Sequence, residues 1–404
     1  MMNEHSFGGV TVTMANNPLA AGTDLLGVFN DLPEADLNAW KRAYSLREPI
    51  EAVINDYWQR AEIPFDLIQE IVKQDLLTDG LDVDGHETLS HLGSGLALMD
   101  IARTDGSVAT IMAVQAGLAM RAIDMCGSQE QKDKYLPKMA KGERLGAFAL
   151  TEPDHGSDSI ALETSAVRDG DEWVLNGEKK WIGLGKGGDI TVVWARTEEG
   201  DVSGFIVPQD TAGYNAEVIE NKISLRAIHQ AHIKLNDVRV PAENQLANAK
   251  TFKDTAAVLM ATRTGVAWIA LGAAIGCYEK ARAYVDERIQ FGRRLSENQI
   301  IQQRLVNMQL ELSEMMLLNR HIAELDAAGK LTSEQAAFNK LRCTRGARKI
   351  AADARDMLGG VGILLDNNIA RHFADIEAYH TYEGTDTVQS LIIGKKITGV
   401  GAFK

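Results

Sequence analysis

Three segments that lie far apart in the sequence carry residue types suited to chemistry, and the first is rich in hydrogen-bonding groups. Residues Phe148 to Asp158 (FALTEPDHGSD) follow a short apolar stretch and combine hydroxyl side chains with many backbone N–H groups. Donors of this kind can hydrogen-bond the polar edge of a planar cofactor. A turn held by Asx-type hydrogen bonds would have the same composition, so this segment alone leaves both interpretations open.

The second segment pairs an arginine with an aromatic residue at helical spacing. Arg288 precedes Phe291 by three positions, and Gly292 and Gln299 follow. Residues three apart lie on one face of a helix. A guanidinium can pair a phosphate and an aromatic ring can contact adenine, which together favour a nucleotide-containing ligand. An arginine that only complements the C-terminal dipole of a helix is the simpler alternative.

The third segment places one carboxylate between an aromatic residue and a glycine. Glu383 lies at the centre of the sequence Thr381-Tyr382-Glu383-Gly384-Thr385. If the chain carries this glutamate into an apolar cleft, burial raises its pKa toward that of a useful general base. A surface glutamate at the start of a helix is the alternative when the segment is considered alone.

Two other patterns match ligand-binding motifs but fit ordinary structure better. Gly183 to Gly188 matches G-x-G-x-x-G, yet a dinucleotide loop must open a helix and here a second strand follows, at Asp189 to Trp194. We therefore expect only a connection between strands. His229 and His232 are three apart, which on a strand puts their side chains on opposite faces. We expect surface histidines there and predict no metal site.

The composition argues against several classes of function. The chain has 404 residues, with 42 Lys+Arg against 56 Asp+Glu and a formal net charge of −14. Such a chain is poorly suited to nucleic acid or an anionic membrane, so local arginines or backbone N–H groups must hold any anionic ligand. Cys126, Cys277 and Cys343 are widely spaced, which argues against a disulfide framework or zinc site and for a reducing compartment.

Neither a membrane span nor a targeting signal is predicted. No run of 18 apolar residues occurs, which argues against a transmembrane helix. The first 40 residues contain no Lys or Arg, which secretory and transit signals need. We therefore expect a cytoplasmic protein.

The elements that must position the three segments occur in the order helices, strands, helices. All eight prolines lie at or before Pro241, and the proline-free remainder with helical periodicity predicts a helix bundle. In the middle, Asn176-Gly177 predicts the type I′ turn of a hairpin, and Asn236-Asp237 the turn of another strand pair. The predicted fold class is α+β and mostly α, with an N-terminal helical domain, a middle β domain of barrel or sandwich type and a C-terminal four-helix bundle. The predicted limits are 1–30 for an arm or partly disordered segment, 31–147 for the helical domain, 148–248 for the β domain and 249–404 for the bundle.

Helical periodicity locates the helices of the two outer domains. The N-terminal helices are predicted at Trp40–Trp58, Pro64–Leu76, Leu92–Arg103 and Ser107–Met125. The Gly- and Ala-rich stretch Gly265–Tyr284 predicts a helix buried on most sides. One buried stripe of the next helix is predicted at Ile301, Leu305, Met308, Leu312, Met315 and Ile322. Gly329 should end that helix, and Thr332-x-x-Gln335 should form the capping box of the following one.

Taken together, the three segments resemble the acyl-CoA dehydrogenase superfamily of flavoproteins over essentially the whole chain. Their order and spacing match, and so does the order of helical, β and helical domains. The sequence is most similar to the branch of glutaryl-CoA dehydrogenases and short-chain acyl-CoA oxidases of the plant peroxisomal type. The motifs that carry this likeness are Ser224-Leu225-Arg226, Arg355-Asp356-Met357-Leu358-Gly359-Gly360, Tyr382-Glu383-Gly384-Thr385 and Ile397-Thr398-Gly399.

The resemblance implies FAD-dependent α,β-dehydrogenation of a short- to medium-chain acyl-CoA to the trans-2-enoyl-CoA. Glu383 would be the base that removes the α-proton, and the β-hydrogen would leave as hydride to flavin N5. The backbone N–H of Glu383 and a ribityl hydroxyl of the flavin would stabilise the developing enolate. Some relatives carry the base on an earlier helix, where this chain has Thr262, so the assignment stays with Glu383.

The residues that would contact cofactor and substrate also carry over by position. The implied FAD contacts are Leu150, Thr151, Ser157, Trp181, Ile182, Gly183, Thr385, Thr387 and Phe403. The implied contacts to FAD in a neighbouring subunit are Arg288, Phe291, Gln299, Met357, Leu358, Gly359 and Gly360. The implied contacts to CoA or its thioester are Ser157, Arg263 and Gly384. Sharing of FAD between subunits implies a homo-oligomer, usually a tetramer.

Two positions bear on the substrate, while the electron acceptor stays open. Glutaryl-CoA dehydrogenases pair the distal carboxylate with an arginine, where this chain has Val108, and carry an accompanying glutamate, where it has Ala102. A carboxylate facing Val108 would be desolvated without a partner, so a neutral acyl-CoA is expected. Electron-transferring flavoprotein is the implied acceptor, and an acyl-CoA oxidase that uses oxygen is the alternative. A helical interaction protein that has kept the fold without catalysis is a third hypothesis, and it predicts no acid at position 383.

Overall fold

The computed structural model describes residues 17–402, and the N-terminal part of this range is helical. Its elements are α1 (Glu34–Tyr44), α2 (Arg47–Arg60), α3 (Phe65–Lys73), α4 (His91–Thr104), α5 (Gly106–Met112), a π-helical segment (Ala113–Met120), α6 (Arg121–Cys126) and α7 (Gln129–Ala140). Asp105 separates α4 from α5, since its carboxylate accepts the N–H groups of Ser107 and Val108 as an N-cap. The predicted helices at 92–103 and 107–125 are confirmed.

Two features of this region differ from the sequence prediction. The prediction of a single helix at Trp40–Trp58 is wrong, because α1 ends at Tyr44 and α2 begins at Arg47. At the break, Ser45 Oγ donates to the carbonyl oxygen of Arg42 at 2.7 Å, a local bond that competes with helix continuation. Helix α7 was not predicted, although Ser128 and Gln131 form a capping box at its start.

The helices Gly106–Cys126 and Phe252–Glu287 are apolar and long enough to cross a membrane. However, 83% and 67% of their most apolar windows are buried inside the protein. A helix that is apolar on most sides is expected in the core of a large fold as well as in a membrane. Both helices have the burial of core helices.

A seven-stranded sheet occupies the middle of the chain. Its strands are β1 (Gly146–Ala149), β2 (Ser165–Asp169), β3 (Glu172–Gly183), β4 (Ile190–Thr197), β5 (Val202–Pro208), β6 (Tyr214–Val218) and β7 (Gln230–Pro241). The order is β1-β4-β2-β3-β7-β6, with β5 paired to β4. Strand β4 is parallel to β1 and β2, and the other pairs are antiparallel. The G-x-G-x-x-G segment joins β3 to β4 without a helix, as expected.

The hairpin turn predicted at Asn176-Gly177 is wrong, and so is the turn at Asn236-Asp237. Strand β3 runs through the first pair and β7 through the second, and the two long strands lie antiparallel to each other. Asn176 Oδ1 accepts the backbone N–H of Asp237 at 2.8 Å, so two residue types typical of turns bind each other across the sheet. The hairpin actually joins β2 to β3 at Gly170, whose φ is +58°.

Gly177 is needed for close approach and not for a turn. The register of β3 against β7 shifts between Leu175 and Gly177, which is a bulge. A Cβ atom at Gly177 would lie 2.7 Å from the Cα of Thr164. Glycine is therefore required at this position, but for close packing against Thr164 and not for a turn.

The C-terminal part is again helical. Its elements are α8 (Phe252–Glu287), a ribbon of β8 (Ile289–Gln290) and β9 (Arg293–Arg294), α9 (Gln299–Ala327), α10 (Ser333–Met357), α11 (Asn368–Thr381) and α12 (Asp386–Thr398). Helices α8 to α11 pack together as a bundle, and α12 packs on α10. Cβ atoms at Gly272 and Gly276 would lie 2.1 and 2.3 Å from backbone oxygens of α4, so these glycines let α8 approach α4 closely. The predicted fold class, α+β and mostly α, is confirmed.

The local predictions for the bundle are also confirmed. Met308, Leu312 and Met315 are buried in one stripe of α9. Gly329 follows this helix with a φ of +63°, and Thr332 begins α10 with the expected capping box.

Residues 17–30 pack on the fold and do not project as an arm. Phe29 stacks edge-on against Trp40, with ring centroids 5.6 Å apart. Thr23 Oγ1 donates to Glu279 on α8 at 2.9 Å. The segment therefore joins the N-terminal helices to the bundle, while residues 1–16 of the predicted arm lie outside the described range.

Candidate active site

Glu383 lies in the short loop between α11 and α12, in a strained backbone conformation. The backbone φ is +51° at Glu383 and +92° at Gly384, so two consecutive residues adopt the left-handed region. This conformation costs a non-glycine residue free energy and persists only where the surroundings hold it. A Cβ atom at Gly384 would lie 2.4 Å from Gln389 Nε2, so glycine is required beside the glutamate.

Two buried side chains hold this loop by its carbonyl groups. Lys340, which is 1% exposed, donates from Nζ to the carbonyl oxygens of Tyr382 and Gly384. Gln389 Nε2 donates to the carbonyl oxygens of Glu383 and Gly384, at 3.0 Å in each case. Burial lowers the pKa of Lys340 to about 8, against the opposing attraction of the Glu383 carboxylate. At neutral pH, Lys340 on α10 is mainly charged and holds two carbonyl groups of the loop together.

Sequence reasoning missed Lys340 and Gln389. A signal for Lys340 was present, because it lies on the same face of α10 as Ala336, Ala337 and Thr344, all of which are buried. A lysine on the buried face of a helix is rare unless its charge has partners. The pattern would have indicated a buried polar contact but not its location.

The Glu383 carboxylate is half-buried and faces α8. Its Oε2 accepts a hydrogen bond from Thr262 Oγ1 at 2.7 Å. Burial raises the pKa of Glu383, while the Thr262 hydrogen bond and the charges of Lys340 and Arg263 act in the opposite direction. A carboxyl group whose pKa is raised toward neutrality suits a general base.

Arg263 follows Thr262 on α8 and brings a positive charge toward Glu383. Its Nη1 donates to Ser333 Oγ at 3.1 Å, and its buried Nε has no hydrogen-bond partner in residues 17–402. Burial lowers the pKa of the guanidinium, and the charge of Glu383 raises it. The Nε–H is therefore buried without a partner, and the expected contact of Arg263 to CoA or its thioester stays a prediction.

A cavity of about 110 Å³ adjoins Glu383 between α4, the π-helical segment and α8. Its apolar lining includes Leu89, Leu98, Ala113, Val266 and Trp268, and its polar lining includes Asp79, His91, Ser94, Arg121, Thr264 and Asp326. A Cβ atom at Gly95 would lie 2.3 Å from the Trp268 ring, so this glycine makes room for one wall. The carboxylate therefore shares one enclosed space with a pocket that has both apolar and polar groups.

Val108 and Ala102 do not belong to this lining. Both are buried, with 1% and 0% exposure, and neither is among the described residues that face the cavity. The role expected of Val108 in substrate choice therefore stays a prediction. The cavity wall includes Ser94 and Arg121, which sequence reasoning did not select.

The predicted cofactor residues after β1 and at the end of β3 lie side by side. The backbone N–H of Lys180 donates to the carbonyl oxygen of Thr151 at 2.8 Å. The register of β3 against β7 shifts between Lys179 and Ile182, so Trp181 lies in a bulge, with φ +67° and 55% exposure. Bulges and strained residues of this kind cluster next to active sites.

A buried ion pair supports the loop after β1. Lys179 Nζ donates to Glu152 Oε1 at 2.8 Å and to the carbonyl oxygen of Leu150 at 2.9 Å. Burial opposes ionisation of Glu152, but the Lys179 charge and hydrogen bonds from Glu163 and Thr164 lower its pKa to about 2. Burial lowers the pKa of Lys179 to about 8. The pair fixes the loop that carries the predicted cofactor contacts.

This pair of segments fits a flavin. The exposed indole of Trp181 offers a flat apolar surface, and the adjoining Thr151 offers a hydroxyl and backbone groups. Leu150 and Ile182 are buried, and the carbonyl oxygen of Leu150 accepts a hydrogen bond from Lys179. Gly183 continues β3 beside them.

The remaining predicted contacts are distributed around the chain. Ser157 is exposed in the loop after β1, and Thr387 is exposed in the first turn of α12. Thr385 uses its hydroxyl to cap α12, since Oγ1 accepts the N–H of Val388 at 3.3 Å. Phe403 lies outside the described residues.

Most of the residues predicted to reach a neighbouring subunit are exposed. Arg288 and Phe291 flank β8, and Gln299 is the first residue of α9, and all three are exposed. At the end of α10, Met357 and Leu358 are buried whereas the following residues 359 and 360 are exposed. The structure therefore places five of the seven residues at the surface and two in the interior.

The two histidines that were not expected to bind a metal contact protein groups. His229 Nε2 contacts the carbonyl oxygen of Ala61 at 3.0 Å, and His232 pairs with Glu178 at 2.6 Å. Within residues 17–402, no cluster of three or more His, Cys, Asp or Glu side chains is arranged to hold a metal ion.

Comparison with known proteins gives a consistent assignment. Profiles of the acyl-CoA dehydrogenase N-terminal, middle and C-terminal domains match residues 42–143, 147–238 and 252–398. A crystal structure of glutaryl-CoA dehydrogenase from Mycobacterium smegmatis is similar, with 40% identity, a TM-score of 0.92, and coverage of 95% of this chain and 100% of that one.

Two further relatives extend the likeness. A glutaryl-CoA dehydrogenase structure from the same organism, in complex with FADH2, has 36% identity and a TM-score of 0.90, over 92% of this chain and 97% of that one. The short-chain specific acyl-CoA dehydrogenase of Clostridium acetobutylicum is 34% identical over 318 residues, which is 78% of this chain and 83% of that protein. With domain profiles matched in order along the chain and solved relatives superposing over nearly all of it, the chain belongs to the acyl-CoA dehydrogenase family of oxidoreductases.

Proposed function

We propose that the protein is an FAD-dependent dehydrogenase that converts a short- to medium-chain acyl-CoA to the trans-2-enoyl-CoA. The observation that carries the proposal is Glu383, a half-buried carboxylate of raised pKa that adjoins an enclosed cavity. Membership of the acyl-CoA dehydrogenase family supports the substrate class. The relative in complex with FADH2 supports the flavin.

Glu383 takes the α-proton of the thioester in this reaction. The electrons of the α C–H bond form the new double bond, and the β-hydrogen leaves with its bonding electrons. Bound FAD supplies the acceptor for this hydride, which no side chain can provide. Thr262 orients the carboxylate through its hydrogen bond, and the strained loop fixes the carboxylate against the cavity.

The binding roles follow the positions of the surrounding groups. Arg263 and Gly384 flank the carboxylate and bind the thioester end of the substrate, with Ser157 as a further contact to CoA. Thr151 and Trp181 hold the flavin, aided by the backbone of the loop after β1.

We also propose a homo-oligomer, a tetramer by family likeness. Large apolar side chains are exposed near the predicted inter-subunit contacts, among them Phe291, Ile300 and Ile363. Exposed apolar groups concentrated in one region are typical of interaction surfaces. Arg288, Gln299 and the 357–360 segment would then complete the cofactor site of the neighbouring subunit.

Flavin bleaching tests the reaction directly. Anaerobic addition of hexanoyl-CoA to the FAD-loaded protein should bleach the visible flavin absorbance. Glu383→Gln keeps the shape but removes the base, so turnover should fall on the order of hundreds-fold while FAD and acyl-CoA still bind. Glu377→Gln, an exposed glutamate on α11, is the matched control and should remain active. Turnover of Glu383→Gln near the wild-type rate would show that the base lies elsewhere.

The electron acceptor is decided in the same preparation. A dehydrogenase should turn over only with electron-transferring flavoprotein or an artificial acceptor. Rapid formation of hydrogen peroxide in air without either would instead identify an acyl-CoA oxidase.

A further inference from the structure

The wall of the cavity carries two hydrogen-bond donors without partners. Arg121, the first residue of α6, donates from Nη2 to the carbonyl oxygen of Asp79 at 2.7 Å and to its Oδ2 at 3.2 Å. Its Nε is buried and makes no hydrogen bond within residues 17–402. Ser94 on α4 is 8% exposed, and its Oγ likewise has no partner there. Both side chains line the same cavity as Glu383.

This polar wall is built from several elements that adjoin one another. A Cβ atom at Gly80 would lie 3.1 Å from Ser94 Oγ, and one at Gly117 would lie 3.4 Å from Asp79 Oδ2. Ala113, Gly117 and Arg121 recur every four residues along the π-helical segment and α6, so small residues precede the arginine on this side. The cavity reaches Arg121 because these residues leave the space open.

The charges on this wall are already balanced. The Arg121 guanidinium is paired with the Asp79 carboxylate, and His91 Nδ1 lies 2.8 Å from Asp326 Oδ2. Glu383 adds a further acid to the same cavity. A carboxylate brought in by a ligand would meet three acidic side chains, Asp79, Asp326 and Glu383, and no unpaired cation of the lining. An uncharged oxygen would instead meet two donors without partners.

From this arrangement we infer that the acyl tail of the substrate ends in an uncharged oxygen-bearing group, such as a hydroxyl or a carbonyl. Its oxygen accepts hydrogen bonds from Arg121 Nε and Ser94 Oγ, and Leu89, Leu98 and Val266 contact the methylenes between this group and the thioester. The inference rests on the proposed dehydrogenation and names the substrate class of that site. Buried donors that are built into a pocket favour the ligand that satisfies them and reject an analogue that does not.

Three thioesters of matched length test the inference: hexanoyl-CoA, 5-hydroxypentanoyl-CoA and glutaryl-CoA end in a methyl, a hydroxyl and a carboxylate respectively. The wild-type kcat/KM should be at least about tenfold higher for the hydroxylated substrate than for hexanoyl-CoA. Ser94→Ala and Arg121→Met should each reduce this ratio, mainly by slowing the hydroxylated substrate. Flavin content and the midpoint of thermal unfolding report whether each variant is folded.

Each other outcome has a defined meaning. A wild-type preference for hexanoyl-CoA, or a ratio unchanged by both variants, would overturn the inference and leave the proposed reaction intact. A preference for glutaryl-CoA that is lost in Arg121→Met would replace the uncharged group by a carboxylate. Failure of all three thioesters to bleach the flavin would instead overturn the proposed function, and this inference with it.

Discussion

Thr262 on α8 and Glu383 on the α11–α12 loop are 121 residues apart in sequence, and their side chains meet in one hydrogen bond of 2.7 Å. The structure brings both side chains to the same point at the wall of the cavity. One position supplies the carboxylate and the other a donor to it. Burial raises the pKa of the proposed base, and the Thr262 hydroxyl opposes this by favouring the ionised carboxylate.

Thr262→Val should shift the pH dependence of the reaction. The hydroxyl favours the ionised form of Glu383, so its loss raises the pKa of the carboxyl further. Because the base acts when ionised, the acidic limb of the kcat/KM profile should move to higher pH. Thr262→Ser restores the donor and should return the limb to its wild-type position. An unshifted limb in the valine variant would show that the hydrogen bond does not act on the catalytic ionisation.

Lys340→Met should disturb the loop that carries the base. Two carbonyl groups lose their charged donor, and Glu383 loses a nearby positive charge that lowers its pKa. We expect kcat to fall by about 10- to 100-fold, with the acidic limb again moved to higher pH. Lys349→Met removes an exposed lysine from the same helix and should leave both quantities unchanged. Equal behaviour of the two variants in stopped-flow flavin reduction would contradict a positioning role for Lys340.

Lys179→Met should destabilise the loop after β1. The substitution leaves the buried Glu152 carboxylate without its cation, which typically costs about 3–5 kcal/mol. The double variant Lys179→Met/Glu152→Gln removes the uncompensated charge and should recover part of the loss. Urea unfolding with bound FAD measures both. A single variant as stable as the wild type would mean that the pair is not important for the fold.

The same pair predicts how stability depends on pH. The pKa of Glu152 is about 2 in the folded protein against an ordinary value of 4.5. The carboxylate therefore contributes stability that is complete above pH 4.5 and is lost as the pH falls toward 2. Glu152→Gln should flatten the free energy of unfolding over this window by about 3 kcal/mol at most. An identical slope in both proteins would assign acid unfolding to other groups.

Arg288→Ala should weaken flavin retention and assembly together. If this exposed arginine binds FAD held mainly by another subunit, its loss reduces the stabilisation that the cofactor gives to the oligomer. After gel filtration, the flavin-to-protein ratio should be lower for Arg288→Ala than for Lys280→Ala. Lys280 is an exposed control residue on α8, the helix that ends just before Arg288. Full flavin and an unchanged mass by light scattering would refute the contact.

The large features of the fold follow from periodicity, because burial and regular hydrogen bonding act over many residues. The errors occur where one short signal has several physical causes. Asn176-Gly177 indicated a turn, but the glycine serves the approach of Thr164 within a long strand. Ser45 ended a helix by one local hydrogen bond that periodicity does not detect.

In the candidate site, too, some residues could be predicted from sequence motifs and others could not. Glu383 was selected as a candidate base because its neighbours form a recognisable motif. Thr151 and Trp181 were selected as candidate cofactor contacts because they belong to two other recognisable segments. Lys340 and Arg121 bind residues about 40 positions away in sequence. A local pattern can indicate that Lys340 is buried, but it cannot identify the partners of either side chain. Val108 is absent from the described lining of the cavity, and a helical position in the sequence does not reveal which side chains face a cavity.

The π-helical segment Ala113–Met120 carries its extra residue at the wall of the cavity, where Ala113 and Gly117 lie. A π turn accommodates one residue more than an α turn. Deleting a single residue from this segment would therefore return it to α geometry, while the helix on either side, with Arg121, keeps its orientation. A change of one residue in length can thus reshape this wall of the pocket without disturbing the rest of the helix.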